Sequence, residues 1–283
     1  MDENNIFTIM PMAQSIDLSA GQTYDGAITV INPANSETDF PYYVSVTPYG
    51  VSKDGTKTNL ISGSERTAIS KWITIDEPKG ILHPNEKREI KFSIKVPDSA
   101  PPGGQYATIA VASDPDAKAS DDFNIQNIYE MASVIYATVA GDIIHDGAIE
   151  NNNIPGFTFS TPIQISATLS NNGNVHENAY INVAVSNFFT GQVILPNDQN
   201  MGTYTETILP ETTREVSREI GNIPFLGVIN VKQDITYAGQ TSTVEKAIII
   251  CPVWFIAAVI IVLTALGITI TRLVKRHRQK YMI

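Results

Sequence analysis

Apolar and polar residues alternate with a period of two through much of the chain between residues 24 and 246. In "REIKFSIKVP", Ile90, Phe92, Ile94 and Val96 fall on one face, and Glu89, Lys91, Ser93 and Lys95 fall on the other. This pattern is typical of a half-buried antiparallel strand, and "PIQISATLS" and "YINVAVS" repeat it. Turn-forming stretches such as "HPNEK" and "SNNGN" separate the strands. The pattern therefore predicts β-sandwiches rather than helices.

A weak internal repeat appears when the sequence is compared with itself. At a shift of 139 residues, Val30, Asn32, Asn35, Tyr42, Val44 and Val46 fall on Leu169, Asn171, Asn174, Ile181, Val183 and Val185. At a shift of 126, Pro84, Arg88, Glu89 and Ile90 fall on Pro210, Arg214, Glu215 and Val216. The blocks keep their order, which favours duplication. We predict an all-β fold of two tandem immunoglobulin-like β-sandwiches, residues 1–141 and 142–246.

The run "AIIICPVWFIAAVIIVLTALGITIT", residues 247–271, contains no charged residue. As a helix rising about 1.5 Å per residue it would reach roughly 37 Å, more than the roughly 30 Å of a bilayer core. A soluble helix of this length would show a polar face, and this run has none. We predict one C-terminal transmembrane α-helix over 247–271.

The flanks of this run give the predicted helix an orientation. Five basic residues follow it in a tail of residues 272–283: Arg272, Lys275, Arg276, Arg278 and Lys280. Basic residues next to a span favour the cytoplasmic side, and Pro252 and Trp254 suit the first helical turn and the interfacial aromatic belt on the outer side. We therefore expect a single-pass protein of a bacterial cell membrane, anchored in lipid, with the N-terminal domains extracellular and the C-terminus cytoplasmic.

The N-terminus does not look like a secretory leader. The start "MDENNIFTI" is acidic and has no apolar h-region. For an exported chain we therefore expect a mature form without its leader. The alternative is a tail-anchored cytosolic protein.

The stretch "ILPETT", residues 208–213, resembles a cell-wall sorting signal. Such a signal needs Leu-Pro-x-Thr-Gly directly before the apolar segment. Here Thr213 replaces the glycine, and more than thirty residues intervene. The repeat places this stretch on "LHPNEK", so we predict a turn that precedes a strand.

Charge and cysteine content exclude several kinds of partner and site. Residues 1–271 hold 14 basic and 29 acidic residues, a net charge of −15, which argues against nucleic acid as a partner. Cys251 is the only cysteine and lies in the apolar run, so one chain can form neither a disulfide nor a site with several thiolate ligands.

The sequence offers little catalytic chemistry. The four histidines lack metal-ligand spacing, and there is no G-x-S-x-G, phosphate loop or H-E-x-x-H motif, so we expect no enzyme and no cofactor. Asp114, Asp116, Asp121 and Asp122 form a weak calcium candidate, for which a solvated hairpin loop is the preferred interpretation. A turn that either joins two strands or contacts a partner contains Pro101, Pro102, Gly103, Gly104 and Tyr106.

Several stretches together resemble the bacterial WxL-interacting surface proteins: "FTIMP", "GQTYDGAITVINPAN", "GILHPNEKREIKFSIKVP" and "APPGGQY". The resemblance implies two extracellular Ig-like sandwiches and a C-terminal anchor. It further implies peptidoglycan binding by the first sandwich and host or partner binding by the second. A related group of membrane-anchored surface proteins from small-genome monoderm bacteria has the same layout.

Two classes of function fit these observations. The first is a non-catalytic cell-surface binding, adhesion or scaffold protein whose partner is a cell-wall polymer, another surface protein or a host molecule. The alternative is an accessory or chaperone-like subunit of a membrane protein complex. A signalling receptor is disfavoured, because a 12-residue tail cannot hold a folded domain.

Overall fold

A computed structural model describes residues 7–34, 36, 38–51, 57–58, 65–113, 129–197 and 201–280. For residues 57–58 and 275–280 only the backbone is described. The chain is mostly β-strand and carries one apolar α-helix at its C-terminal end, which confirms the predicted fold class at that level.

The first half of the chain forms two sheets and a small β-ribbon. Its strands are β1 (Thr8–Met10), β2 (Ala13–Leu18), β3 (Thr23–Ile31), β4 (Phe40–Pro48), β5 (Gly50–Val51), β6 (Lys57–Thr58), β7 (Ile73–Ile75), β8 (Lys79–Leu82), β9 (Lys87–Lys95), β10 (Gly103–Ser113) and β11 (Glu130–Val139). One sheet has the order β1-β3-β9-β7, and the other has the order β2-β11-β10-β4-β8. A 3-10 helix, Glu65–Lys71, precedes β7, and β5 pairs with β6.

The two sheets of the first half bury their alternating apolar faces in one core, which makes this half a β-sandwich. Ile90, Phe92 and Ile94 of β9 are buried, as the period-two pattern predicts. Residues such as Ile109 and Ile135 of the five-stranded sheet belong to the same core. Each buried side chain of this size contributes about 1.5–3 kcal/mol by leaving water.

The second half repeats this plan and adds the helix. Its elements are β12 (Gly147–Asn153), β13 (Phe157–Thr158), β14 (Ile163–Asn171), β15 (Glu177–Asn187), β16 (Val193–Leu195), β17 (Thr203–Ile208), β18 (Thr212–Ile220), β19 (Gly227–Tyr237), β20 (Gln240–Ile250) and α1 (Val253–Lys280). The sheets have the orders β12-β14-β18 and β13-β20-β19-β15-β16, and β17 pairs with β15. In each half the first two strands belong to different sheets. The second strand pairs in parallel with the last strand of its half, so β2 lies beside β11 and β13 lies beside β20.

The repeat found in the sequence extends to buried hydrogen bonds. The side-chain amide of Asn32 donates to the backbone oxygens of Thr38 and Leu82, both at 3.1 Å. The amide of Asn171, 139 residues later, donates to the oxygens of Val175 and Ile208 at 2.8 and 3.0 Å. Both asparagines are at most 2% exposed, so each places its amide inside the core, where the Leu82, Val175 and Ile208 oxygens need a donor.

The stretch "ILPETT" is a turn before a strand, as the repeat predicts. Residues 210–211 form the turn, and β18 begins at Thr212. Glu211 has a φ of 59°, and Asn85, its equivalent in the first half, has a φ of 63°. The two turns therefore share the same left-handed backbone conformation.

Two compact units divide the chain differently from the predicted domains. The first unit consists of Met1–Gly147, Ser170–Glu177 and Thr207–Arg214, and the second of Ala148–Leu169, Asn178–Glu206 and Glu215–Ile283. The predicted boundary at residue 141 therefore falls inside the first unit. Asn174 shows why the segment Ser170–Glu177 joins this unit, because its backbone oxygen accepts a 2.7 Å hydrogen bond from Gly104 N–H.

The helix begins later than the predicted 247–271. Residues up to Ile250 belong to β20, because they pair with β19 as far as Gly227. The carbonyl of Pro252 accepts the first helical hydrogen bond from Phe255 N–H at 2.9 Å, a position where the missing proline N–H costs little. Val253–Val274 is long and apolar enough to cross a membrane, and its side chains are not buried by the rest of the chain.

Candidate functional site

Three tyrosines cluster at the end of the first five-stranded sheet where β4 and β11 end and β10 begins, which we call the covered end. Tyr106 and Tyr136 are paired across β10 and β11, and their rings meet edge to face at 5.9 Å. Tyr49 follows β4 directly, and its N–H donates to the backbone oxygen of Tyr106. The hydroxyl of Tyr136 donates to that of Tyr49 at 3.3 Å. Strand pairing therefore brings together two residues of β10 and β11 and the residue that follows β4.

His176, in the segment Ser170–Glu177 of the same unit, packs on this tyrosine cluster. Its ring centroid lies 5.8 Å from that of Tyr106 and 5.1 Å from that of Tyr136. The Tyr106 hydroxyl oxygen is 3.3 Å from Nδ1 of His176. The four side chains thus form one packed aromatic group with two hydrogen-bond contacts.

Burial favours the uncharged forms of Tyr106, Tyr136 and His176. Desolvation raises the pKa of Tyr106 and the pKa of Tyr136 well above the ordinary tyrosine value. Desolvation also lowers the pKa of His176, against a smaller opposing effect of Glu177. These three side chains are therefore suited to packing and hydrogen bonding in their uncharged forms.

A cleft of about 140 Å³ opens beside the tyrosine cluster. Tyr49, Tyr106 and Leu209 supply apolar lining, and Arg66 and Glu211 supply charge. Arg66 Nη2 lies 3.1 Å from Glu211 Oε1, and Arg66 Nη1 donates to the Pro102 oxygen at 3.0 Å. The volume is below the roughly 300 Å³ at which small-molecule pockets begin, so the cleft suits a single side chain or a short peptide segment.

The predicted partner-contact turn lies beside this cleft, but most of it faces inward. Gly103, Gly104 and Tyr106 are buried, Pro101 is half-buried, and Pro102 is exposed. Gly103 has a φ of 108°, and a Cβ there would collide with the backbone oxygen of Asn174. The glycines of this turn allow close packing inside the first unit, and of the five predicted residues only Pro102 is exposed, so a contact between this turn and a partner stays a prediction.

The remaining predicted site residues are dispersed. Asp114, Asp116, Asp121 and Asp122 lie outside the described residues. Among the described residues, no group of three or more His, Cys, Asp or Glu side chains could hold a metal ion. Pro252 is buried, Trp254 is exposed in the first turn of α1, and Arg272 is exposed near its end. Lys275, Arg276, Arg278 and Lys280 continue the same helix.

The sequence analysis named Tyr106 but missed Arg66, His176 and the other two tyrosines of the cluster, Tyr49 and Tyr136. These residues are far apart in sequence, and nothing in the local alternation distinguishes them from other strand and turn residues. The one available signal was the repeat, which aligns Glu211 with the turn residue Asn85 but says nothing about Arg66.

No protein-family model matches this chain, and no curated protein matches it either. The similar solved structures include bacterial chaperones and a PapD-like domain of human CEP192. A chain of the CsuC–CsuE chaperone–tip adhesion subunit pre-assembly complex of Acinetobacter baumannii is 14% identical, with a TM-score of 0.41, over 85% of this chain and 98% of that one. The Escherichia coli chaperone DraB is 13% identical, with a TM-score of 0.40, over 86% and 97%. A chain of the Salmonella enterica SafA pilin–SafB chaperone complex is 10% identical, with a TM-score of 0.39, over 87% of this chain and 96% of that one. This likeness is too distant to assign a function or a partner.

Proposed function

We propose that this protein is a non-catalytic binding protein of the bacterial cell surface, held by one membrane span and presenting two tandem immunoglobulin-like sandwiches outside the cell. The observation that carries the proposal is the junction between β20 and α1. The last strand leads through two residues into a helix whose 22-residue segment Val253–Val274 is long and apolar enough to span a membrane and is not buried by the rest of the described chain. At about 1.5 Å per residue this length is roughly 33 Å, which matches a bilayer core.

The orientation of the proposed span follows from its flanks. Basic residues from Arg272 to Lys280 continue α1 on one side, and Trp254 lies in its first turn on the other. Lysine and arginine favour the cytoplasmic side, and tryptophan favours the interface. Both sandwiches then lie outside the cell.

Binding rather than catalysis suits the chemistry of the covered end. Its aromatic side chains pack together and form hydrogen bonds, and its ion pair between Arg66 and Glu211 is partly exposed. The adjoining cleft offers an apolar floor with a guanidinium and a carboxylate at its edge. Such a site recognises a side chain or short segment of a partner by shape and hydrogen bonding. A wall polymer or a surface protein is the partner class that the resemblance to WxL-interacting proteins suggests.

A second candidate is an accessory or chaperone-like subunit of a membrane complex. The observation that favours it is strand β18, which forms an edge of the sheet β12-β14-β18 within the described part of the chain. An edge strand can accept an added strand from a partner chain through backbone hydrogen bonds. Charged residues on β18, such as Glu215 and Arg218, would restrict which chains can pair there.

A crosslinking experiment in living cells tests both candidates. A photoreactive residue replaces exposed Pro102 beside the cleft in the full-length chain, and the matched control carries it at exposed Asn153 in β12. The proposal expects crosslinks at position 102, but not at 153, to wall fragments or a surface protein identified by mass spectrometry. One stoichiometric membrane partner that also co-purifies in mild detergent supports the second candidate. Equal crosslinking at both positions contradicts a site at the covered end.

Protease treatment of intact cells checks the orientation separately. We expect residues 1–246 to be removed while a helix-containing fragment stays with the membrane. Resistance of residues 1–246 in intact cells, with cleavage after permeabilisation, would place the sandwiches in the cytoplasm and reject the surface function.

A further inference from the structure

The exposed phenylalanine and tryptophan side chains of the described residues share one location. They lie at the end of the second half's large sheet where β15 and β20 end and β19 begins, which we call the open end. The six side chains are 44% to 77% exposed: Phe157, Phe159, Phe188, Phe189, Phe225 and Trp254. Every other described phenylalanine or tryptophan is buried or half-buried. The concentration at one end therefore requires an explanation.

Strand register places these rings at the level where α1 begins. Phe157 pairs with Ile249, the residue before the last of β20. Phe188 N–H donates to the oxygen of Val228, which also pairs with Ile249. The ring of Phe225 lies 6.3 Å from that of Trp254 in the first turn of α1. The aromatic side chains and the start of the helix therefore occupy the same end of the second unit.

The loops of the open end also lack charge. These loops are residues 154–162, 188–192 and 221–226, and they contain no Asp, Glu, Lys or Arg, although the chain has 48 such residues in all, 29 acidic and 19 basic. Surface loops of a soluble domain normally carry charges of both signs. An exposed apolar patch without charge marks a surface that is covered by a partner or a membrane. Phenylalanine and tryptophan beside the exit of an apolar helix suit the boundary between headgroups and acyl chains.

At the corresponding end of the first half, the equivalent aromatic residue is buried by other segments of the chain. Tyr49 and Phe188 are 139 residues apart, each follows its strand directly, and each donates its backbone N–H to the neighbouring strand. Tyr49 is 4% exposed, within a cluster that includes Leu209 and lies beside His176. Phe188 is 52% exposed, and no described segment covers it. The chain supplies a cover for one end and leaves the other without one.

We propose that the open end is a lipid-docking surface whose phenylalanine side chains enter the outer interface of a phospholipid bilayer and hold the second unit against it. The inference rests on the proposed membrane anchor. Only Cys251 and Pro252 separate β20 from α1, so the last strand residue lies within about 10 Å of the first helical residue even when the connection is fully extended. A bilayer that contains α1 therefore meets the open end.

Spin labelling of the full-length chain in lipid nanodiscs tests this docking. In a Cys251→Ser background, a nitroxide is placed at Thr190→Cys, which lies between the loop phenylalanines and β16 and leaves every aromatic residue intact. Reference labels are placed at Tyr180→Cys, exposed on the same strand β15 seven residues before its end, and at Leu263→Cys in the helix. Collision rates with oxygen and with a water-soluble nickel chelate report the depth of each label in phosphatidylcholine–phosphatidylglycerol bilayers.

We expect the oxygen-to-nickel collision ratio at position 190 to exceed that at 180 by at least about threefold, as for an interfacial site. Replacing both loop rings by Phe188→Ser and Phe189→Ser should return position 190 to the value of position 180. Tyr180→Ser, with the label kept at 190, is the control and should change nothing.

Each other result has a separate meaning. A lipid-buried label at 263 together with an aqueous label at 190 overturns the docking and leaves the anchor intact. An aqueous label at 263 overturns the anchor itself. A label at 190 that is aqueous in nanodiscs but immobilised in native membranes identifies a protein cover and also overturns the lipid proposal.

Discussion

The covered end of the first half and the open end of the second half have the same strand arrangement but are lined by different side chains. In both, the final strand and the strand before it form the longest antiparallel pair of the sheet, and β10 and β19 each begin at a glycine with positive φ. The first end is lined with tyrosines that hydrogen-bond within the unit. The second carries phenylalanines, which have no polar group to satisfy. A hydroxyl suits a ring that is buried beside other polar groups, and its absence suits a ring that meets an apolar medium.

The largest effect should come from the buried asparagines that the two halves share. Asn32→Ala removes the side-chain donor of the buried Leu82 oxygen and one of two donors to the Thr38 oxygen, and Asn171→Ala removes the side-chain donor of the Val175 and Ile208 oxygens. Each change should lower the free energy of unfolding by about 1–4 kcal/mol. Hydrogen exchange with mass spectrometry on the full chain in nanodiscs reads the halves separately. We expect Asn32→Ala to weaken protection of β3 and β9, and Asn171→Ala to weaken that of β14 and β18.

Asn153→Ala is the matched control, because Asn153 is exposed on β12. It should change stability by less than about 0.5 kcal/mol. If both variants weaken protection in the same half only, the two asparagines do not have equivalent roles in their own halves, and the comparison fails.

The glycines at the starts of β10 and β19 give a smaller, paired effect. Gly103 and Gly227 both have positive φ, 108° and 136°, so alanine should introduce backbone strain at either position. Only at Gly103 would the new Cβ also strike the backbone oxygen of Asn174; at Gly227 no described atom lies within 4 Å. Gly103→Ala should therefore destabilise by about 1–3 kcal/mol more than Gly227→Ala.

Thermal unfolding of the two glycine variants in the same detergent measures this difference. Equal shifts of the midpoint for Gly103→Ala and Gly227→Ala would mean that the segment Ser170–Glu177 does not hold the covered end closed in solution.

The smallest predicted effect is a pH dependence confined to the covered end. Burial lowers the pKa of His176 below its unfolded value of 6.5, with Glu177 opposing this in part. Its contribution to stability is fully present above pH 6.5 and is lost as the pH falls through the lowered folded pKa, because the unfolded chain binds the proton first. Hydrogen exchange of β10 between pH 8 and 5 should show this loss in the native chain but not in His176→Gln.

His83 provides the opposite sign as a control. Its hydrogen bond to Asp39 at 2.8 Å raises its pKa, so any contribution is present below pH 6.5 and is lost as the pH rises through the raised value. His83→Gln should leave the acid-side loss at β10 unchanged. If it removes that loss, His176 is not the responsible group.

The sequence by itself determined the strands, the apolar helix and the similarity of the two halves. The faces of β9, β14 and β15 could be assigned because successive side chains of a strand point to opposite sides, a rule that needs only neighbours in sequence. The turn at Glu211 could be assigned because its equivalent at Asn85 occupies the same place before a strand.

Only the tertiary structure decided which ends are covered and where the helix begins. Ala247–Ile250 are as apolar as the residues of α1, and their local pattern suits a helix or a strand equally. They form a strand because they pair with β19 through cross-strand hydrogen bonds. Tyr106 and His176 are 70 residues apart and meet through strand register and the return of a distant segment. Contacts of this kind depend on which chain segments fold back together, and that information does not reside in the period of any one segment.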